Sequence, residues 1–451
     1  AENHPNAAER EYRTALSTFE ATRCSLHQRV DSRLPFLSNA ERIYENYIHF
    51  LVERGQTNRA LQVADYMRAR TLAEGLGRTC KATFAPDPLI ATQIASRAGG
   101  TILFYSLGDE HSYLWTITDR EVRLFALTAS RSEIDAAVQR YRKKLEGPPE
   151  ILNAANDGTV LYDMLVAPAQ SLLNRASSRN DSSIFIIPDG ALNSLNFETL
   201  ISQPTHYWIE DVTIANAASL AFLPTSHGGR LSLNGRLLLL GNPVSPENGP
   251  NNAYPELPNA AKQIQTIEKY FPPEQQTVLT RRQASPAAYL NSHPEQFSYI
   301  HFVAHGTASR LNPLDSAIIL SSDPSANIAA NANESFKLYA RDIITHPLHA
   351  QLVTISACYS TGKRTYSGEG LVGLSWAFLR SGAHNVIGAL WDVSDASTSQ
   401  LTNDFYRELK NGESPAEALR TAKLHLLHDP TFHSPFYWAS FQLFTGSQNA
   451  H

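Results

Sequence analysis

FSYIHFVAH (297–305) and LVTISACYS (352–360) decide how this chain is read. Each opens on a short apolar run rich in Ile, Val and Phe, the composition of a buried strand. Each run closes on a residue able to do chemistry, His305 in the first and Cys358 in the second. RLLLLGNP (236–243) precedes them and NVIGALWDV (385–393) follows. Helical patterns fall over 259–270, 285–292, 369–380 and 396–410, with a further strand at 276–280. Short buried strands separated by helices indicate a parallel sheet covered on both faces. Functional groups in such sheets gather at the carboxyl ends of the strands. His305 and Cys358 both fall at such ends.

Outward from this core, the period changes twice. TILFYSL (101–107), SYLWTIT (112–118) and EVRLFAL (121–127) read as a three-strand meander with turns at Gly108-Asp109 and Asp119-Arg120. Helices are expected around Ile134–Leu145 and near 158–175, then the strand SIFIIP (183–188). Residues 5–75 read as three helices with stops at Gly55 and Gly75, similar to the last units of a tetratricopeptide array. Ser414-Pro415-Ala416-Glu417 opens a helix with a capping box and Pro at its first position. The division expected is a tetratricopeptide-like helical segment over 1–80, an α/β half over 81–232 and a second α/β half over 233–451.

Composition excludes several classes. In 451 residues, 38 Lys+Arg against 43 Asp+Glu leave a net charge of −5. That balance lacks the basic footprint of a nucleic-acid binder. With 42% hydrophobic and 18% charged residues the chain is globular. No apolar run approaches the ~18–20 residues of a membrane span, and residues 1–20 are too charged for a signal peptide. Three cysteines, Cys24, Cys80 and Cys358, cannot all pair, so a disulfide framework is not expected and a reducing, cytoplasmic setting is. No phosphate-cradling GxxxxGK[ST] occurs, and no cofactor is called for. The chain starts inside what reads as a helical array, as a truncated piece would.

A thiol that attacks a carbonyl needs a partner to take its proton and return it to the leaving amine, and His is suited to that work. His305 precedes Cys358 by 53 residues, close to the roughly 50 seen in caspases. Gly306 offers a backbone N–H without a Cβ in the way, and the N–H of Cys358 would complete an oxyanion hole. The plainer alternative is that Cys358 is an inert core thiol. His301 and His305 do not form a metal pair, because four strand residues at ~3.3 Å each hold them about 13 Å apart. His301 reads as a sheet residue, and no metal site is expected.

IHFVAHGTASRLNPLDSAIIL (300–320), QLVTISACYSTGKRTYSGEGLVGLSWAFLRSGAHNVIGALWDVSD (351–395), FYRELKNGESPAEALRTAKL (405–424) and SPFYWASFQLFTG (434–446) together resemble the CHAT family. FIIPDGALNSLNFETL (185–200) and LLLLGNP (237–243) extend the resemblance, so it covers about residues 100–446. That family comprises caspase-like cysteine proteases, often fused to tetratricopeptide repeats and related to separase. The resemblance implies a caspase-like, parallel-rich sheet flanked by helices, preceded by a degenerate caspase-like half without the dyad. It implies His305 and Cys358 as catalytic residues of a cysteine endopeptidase. By likeness to separase relatives, Asp395 lines a pocket for a basic residue before the scissile bond, with Asp392 the weaker candidate; Asp395 also stands where a helix needs its N-cap. Two departures count: Ser356-Ala357-Cys358-Tyr359-Ser360 lacks the caspase Gln-Ala-Cys-Arg-Gly pattern, so Asp specificity is not implied, and Asn196 replaces the family's usual Pro. The implied partners are a protein substrate cut after Arg or Lys and a protein regulator on the N-terminal helices. The alternative is a catalytically silent interaction scaffold, since fold alone does not give function.

Overall fold

The computed structural model describes residues 4–26, 30–147, 155–177, 183–224, 231, 233–244, 254–322 and 335–446. Helices α1 (Pro5–Ser25), α2 (Val30–Phe36), α3 (Glu41–Glu53), α4 (Thr57–Tyr66), α5 (Arg70–Gly75) and α6 (Ala91–Ala98) lead into strands β1 (Thr101–Ser106), β2 (Ser112–Ile117) and β3 (Val122–Leu127). Then come α7 (Arg131–Leu145), α8 (Ala155–Leu165), α9 (Gln170–Ser177), β4 (Ser183–Ile187), the short hairpin β5 (Ile201–Gln203) and β6 (His206–Tyr207), and β7 (Thr213–Ala217). The second half runs β8 (Leu237–Gly241), α10 (Ala260–Glu268), β9 (Gln276–Thr280), α11 (Pro286–Asn291), β10 (Tyr299–Val303), β11 (His305–Thr307), β12 (Ala317–Ile319), β13 (Lys337–Tyr339), α12 (Ala340–Ile343) and β14 (Leu352–Ser356). It ends with β15 (Arg364–Tyr366), β16 (Gly370–Val372), α13 (Leu374–Ser381), β17 (Asn385–Ala389), α14 (Asp395–Lys410), α15 (Pro415–Leu427), α16 (Pro435–Trp438) and β18 (Phe441–Thr445).

Among the described residues, eleven strands form one sheet in the order β3-β2-β1-β4-β7-β18-β17-β14-β10-β8-β9. β1, β4, β7 and β18 run parallel to one another, as do β17, β14, β10, β8 and β9. β17 and β18 meet antiparallel, so the two sets point in opposite directions. The protein is therefore a mixed α/β molecule whose large, mostly parallel sheet is flanked by helices, with a helical region at its N-terminus. The central strands are buried throughout, as a sheet covered on both faces requires. Asn196 is buried at the junction of the two sets, where its amide donates to the Ala439 carbonyl at 2.6 Å just before β18.

The N-terminal region differs from the three-helix expectation. Among the described residues of 5–75 there are five α-helices, and the break between α4 and α5 falls at Ala69, a non-glycine residue at φ 51°. The cause is tertiary: the Ala69 N–H donates to the Gly368 carbonyl, far along the chain. The helix expected near 158–175 likewise divides, with Pro168 in the 3₁₀ turn between α8 and α9. The helix expected from 369 starts only at Leu374, because 370–372 pair with β15 as a strand. The capping box at Ser414 and Glu417 forms as expected.

A second difference concerns the cysteines. Cys24 and Cys80 are joined by a disulfide, Cα–Cα 5.7 Å, leaving Cys358 free. Bridges of this kind are commonest in proteins of oxidising compartments. No helix of the described residues is long and apolar enough to cross a membrane.

Charged ties hold the helical region against the sheet. Arg68, in the turn between α4 and α5, is buried and donates to Asp189 Oδ1 (2.8 Å) and to the carbonyls of Tyr105 and Pro188. Asp189 Oδ2 accepts the Leu107 N–H at 2.8 Å. From the other side, buried Glu369 accepts the N–H groups of Thr71 and Leu72 at the start of α5, together with Trp376 Nε1. Glu369 belongs to the chain that leaves Cys358. That chain crosses β17 where Gly388 has no side chain; a Cβ there would lie 2.2 Å from Ser375 Oγ and 3.1 Å from Ser360 Oγ.

Candidate active site

β10 and β14 are parallel neighbours with Val303 opposite Ser356. His305 lies two residues beyond Val303 and Cys358 two beyond Ser356. Both therefore leave the same end of adjacent strands, whose spacing is ~4.8 Å. Strand pairing thus turns a separation of 53 residues into adjacency. The strand expected through to His305 stops at Val303, and His305 instead opens β11, which pairs antiparallel with β12 in a separate small sheet. Gly306 is required by the resulting closeness. A Cβ there would sit 2.6 Å from the Cys358 carbonyl oxygen and 3.1 Å from the Ala357 Cβ.

The imidazole of His305 is half-buried, and its Nε2 donates to the Pro255 carbonyl at 2.6 Å. A carbonyl can only accept, so in the neutral ring Nε2 carries the hydrogen and Nδ1 keeps the lone pair. Tyr254 stands beside the ring, centroids 5.9 Å apart. Among the described residues no hydrogen bond joins His305 to Cys358.

Cys358 is half-buried. Burial pushes its thiol up to about 11; the Val393 N–H pulls it down, and the Asp392 carboxylate, which accepts from the thiol, pushes it up. No backbone carbonyl of the described residues accepts a hydrogen bond from the Cys358 N–H. Tyr359 follows at φ 49°, a left-handed conformation unusual for an aromatic residue, with Lys363 Nζ 3.4 Å from its ring centroid. Such turns concentrate at functional sites.

Under the site lies a buried polar chain. His301 is fully buried, with Nδ1 2.9 Å from the Tyr406 hydroxyl and Nε2 3.1 Å from Ser356 Oγ. Gln263 donates to the same Ser356 oxygen and to Thr402 Oγ1. Burial pushes the His301 imidazole down to about 3, so it stays neutral and supports β14 from below. Among the described residues no group of three or more His, Cys, Asp or Glu side chains is disposed to hold a metal ion.

The two candidate acids part company. Asp392 is exposed and faces the thiol and the Tyr359 ring. Asp395 is half-buried and is the first residue of α14, not its cap; Ser394 holds the cap position without a side-chain bond. Asp395 Oδ2 instead accepts two hydrogen bonds at 2.7 Å, from the backbone N–H and the side-chain Nδ2 of Asn259. Pro255 and Asn259 thus belong to one strap, residues 254–259, that touches both His305 and Asp395. Four residues span at most ~14 Å, the scale of a peptide-binding site. Sequence reading missed both, because their partners lie 50 and 136 residues away. The two prolines of Tyr254-Pro255-Glu256-Leu257-Pro258 were the signal available, marking a stiff loop.

One expected result follows from the thiol's surroundings. Asp392→Asn removes a charge that disfavours the thiolate, so the Cys358 pKa should fall. Alkylation by iodoacetamide at pH 8 should accelerate by about threefold or more, with its pH profile shifted to lower pH. An unmoved profile would show that Asp392 does not act on the thiol.

A family model described as the CHAT domain matches residues 156–446. The chain belongs to the CHAT family. Among curated proteins it is similar to Tetratricopeptide repeat protein 28 of Mus musculus, 34% identical over 106 residues, and to that of Homo sapiens, 30% identical over 106 residues. Each match takes in 24% of this chain and 4% of the relative, so the chain spans a small part of those proteins. Among solved structures it resembles Saccharomyces cerevisiae separase in its complex with securin, with a TM-score of 0.53 at 10% identity. That likeness covers 94% of this chain and 38% of the other, and it establishes a shared fold for this CHAT protein.

Proposed function

We propose that this CHAT protein is a cysteine endopeptidase that cuts a protein partner after Arg or Lys, using His305 and Cys358. One observation carries the reading: the two residues leave adjacent parallel strands at the same end, with the His305 ring fixed so that Nδ1 is its basic nitrogen. In this scheme Nδ1 takes the Cys358 proton as Sγ attacks the scissile carbonyl carbon. The oxyanion is held by the N–H groups of Cys358 and Gly306. Collapse breaks the C–N bond, the imidazolium returns its proton to the leaving amine, and a thioester remains. Water, deprotonated by His305, then releases the acid and restores the thiol. Asp395 supplies the charge for a basic side chain on the substrate. The N-terminal helices engage the partner, as stacked helices are suited to do.

The scaffold reading has one observation in its favour: burial, with the Asp392 carboxylate adding to it, disfavours the Cys358 thiolate. Mapping new protein N-termini in cells carrying wild-type or Cys358→Ala protein separates the two. A peptidase yields termini that depend on Cys358 and follow Arg or Lys; termini identical in both cells leave only the scaffold. A peptide electrophile ending in Arg should label Cys358 alone, the other two cysteines being joined to each other.

A further inference from the structure

The side chain of Asn259 does something unusual for its place in the fold. Asn259 sits at the N-cap of α10, where an Asn side chain ordinarily accepts a backbone N–H of the first turn. Here it makes no such bond. It is turned instead to donate Nδ2 to Asp395 Oδ2, the same oxygen that already accepts the Asn259 backbone N–H. A carboxylate oxygen has about two acceptor sites, so Oδ2 is filled. Oδ1 takes no hydrogen bond from the described residues, and it is the oxygen left for a ligand.

We infer that Asn259 is a positioning residue that makes Asp395 a one-oxygen receptor, so that the site accepts Lys and Arg on nearly equal terms. This rests on the reading of Asp395 as the acid that meets the substrate cation. The chemistry is a matter of shape. A guanidinium gains most from a carboxylate when its fork reaches both oxygens, whereas an ammonium is a point charge that needs only one. Filling Oδ2 removes the fork's advantage and leaves the ammonium's contact intact. The strap from Tyr254 to Asn259 then sets two properties at once, the orientation of His305 through Pro255 and the acceptor geometry of Asp395 through Asn259.

The test uses the full chain and two peptide acyloxymethyl ketones that differ only in ending with Arg or Lys. Labelling of Cys358 is followed by intact mass, and the ratio of the two second-order rates is the readout. That ratio is insensitive to how much of a variant is folded. Wild type should give a ratio within about threefold of one. Asn259→Ala and Asn259→Gly both keep the backbone bond and free one acceptor site on Oδ2, so each should raise the Arg-to-Lys ratio by roughly tenfold. An unchanged ratio in both variants overturns the inference. So does a fall, which would mean that the Asn259 carbonyl oxygen itself holds the guanidinium. Asp395→Asn tests the reading beneath: if it slows both reagents, the acid role stands whatever Asn259 does. If it slows neither, that role fails and takes the inference with it.

Discussion

His305→Ala should lower turnover of an Arg-ended peptide at pH 7 by at least ~10²–10⁴-fold, the usual scale of general acid–base work. The fold should be untouched, because the ring is half-exposed and, among the described residues, its hydrogen bond goes to the Pro255 carbonyl. A thiol pushed up to about 11 has a thiolate fraction of roughly 10⁻⁴ at pH 7. The nucleophile therefore depends on a base that removes its proton as attack proceeds. The same argument fixes the pH profile. Without the imidazole, the rate should follow the thiolate and rise about tenfold per pH unit from 7 toward 10. His305→Gln can still donate to Pro255 yet cannot take a proton, so it should be as inactive as the alanine variant. Turnover within fivefold of wild type in either variant would remove His305 from the mechanism. Melting curves of both variants show whether the loss is chemical.

How far the sequence carried this site depends on whether the deciding contacts are local. Ile300, Phe302 and Val303 mark β10, Val353 and Ile355 mark β14, and their parallel pairing brings the strand ends together. Apolar runs of this kind report burial directly, so the strands and the adjacency of His305 and Cys358 were legible. The capping box at Ser414 was legible because its two partners are three residues apart. The antiparallel meeting of β17 and β18 was not, since an apolar run carries no direction. Nor was the start of α14: Asp395 is a good cap by type, but Asn259 claims its carboxylate. Asn259, Pro255 and Glu369 act through partners at long range, which no local pattern encodes. The same limit hid the break at Ala69, imposed by Gly368, and the bridge between Cys24 and Cys80.

Deleting residues 1–80 should abolish folding of the remainder, not merely recruitment of a partner. No candidate catalytic residue lies in this segment, yet its removal strips groups from the sheet. Asp189, buried in the full chain, loses the Arg68 guanidinium. Breaking a buried pair from one side costs about 3–5 kcal/mol. Glu369 loses the Thr71 and Leu72 donors and keeps Trp376 Nε1, and each lost bond to a charged group is worth ~1.5–3 kcal/mol. Leu34, Ala69 and Leu72 also leave a core cluster that they share with Trp376, Phe378 and Leu379. These losses together rival the ~5–15 kcal/mol that stabilises a typical domain. The truncated chain should be insoluble or show no cooperative melting transition, and Arg68→Ala alone should lower the melting temperature clearly. A soluble truncation that melts like the full chain would refute this. Since Glu369 lies on the segment that follows Cys358, the helices hold the strand-end turn in place even with no partner bound. Their role in recruitment is therefore to be probed by substitutions on their exposed faces, with the buried ties to Asp189 and Glu369 left intact.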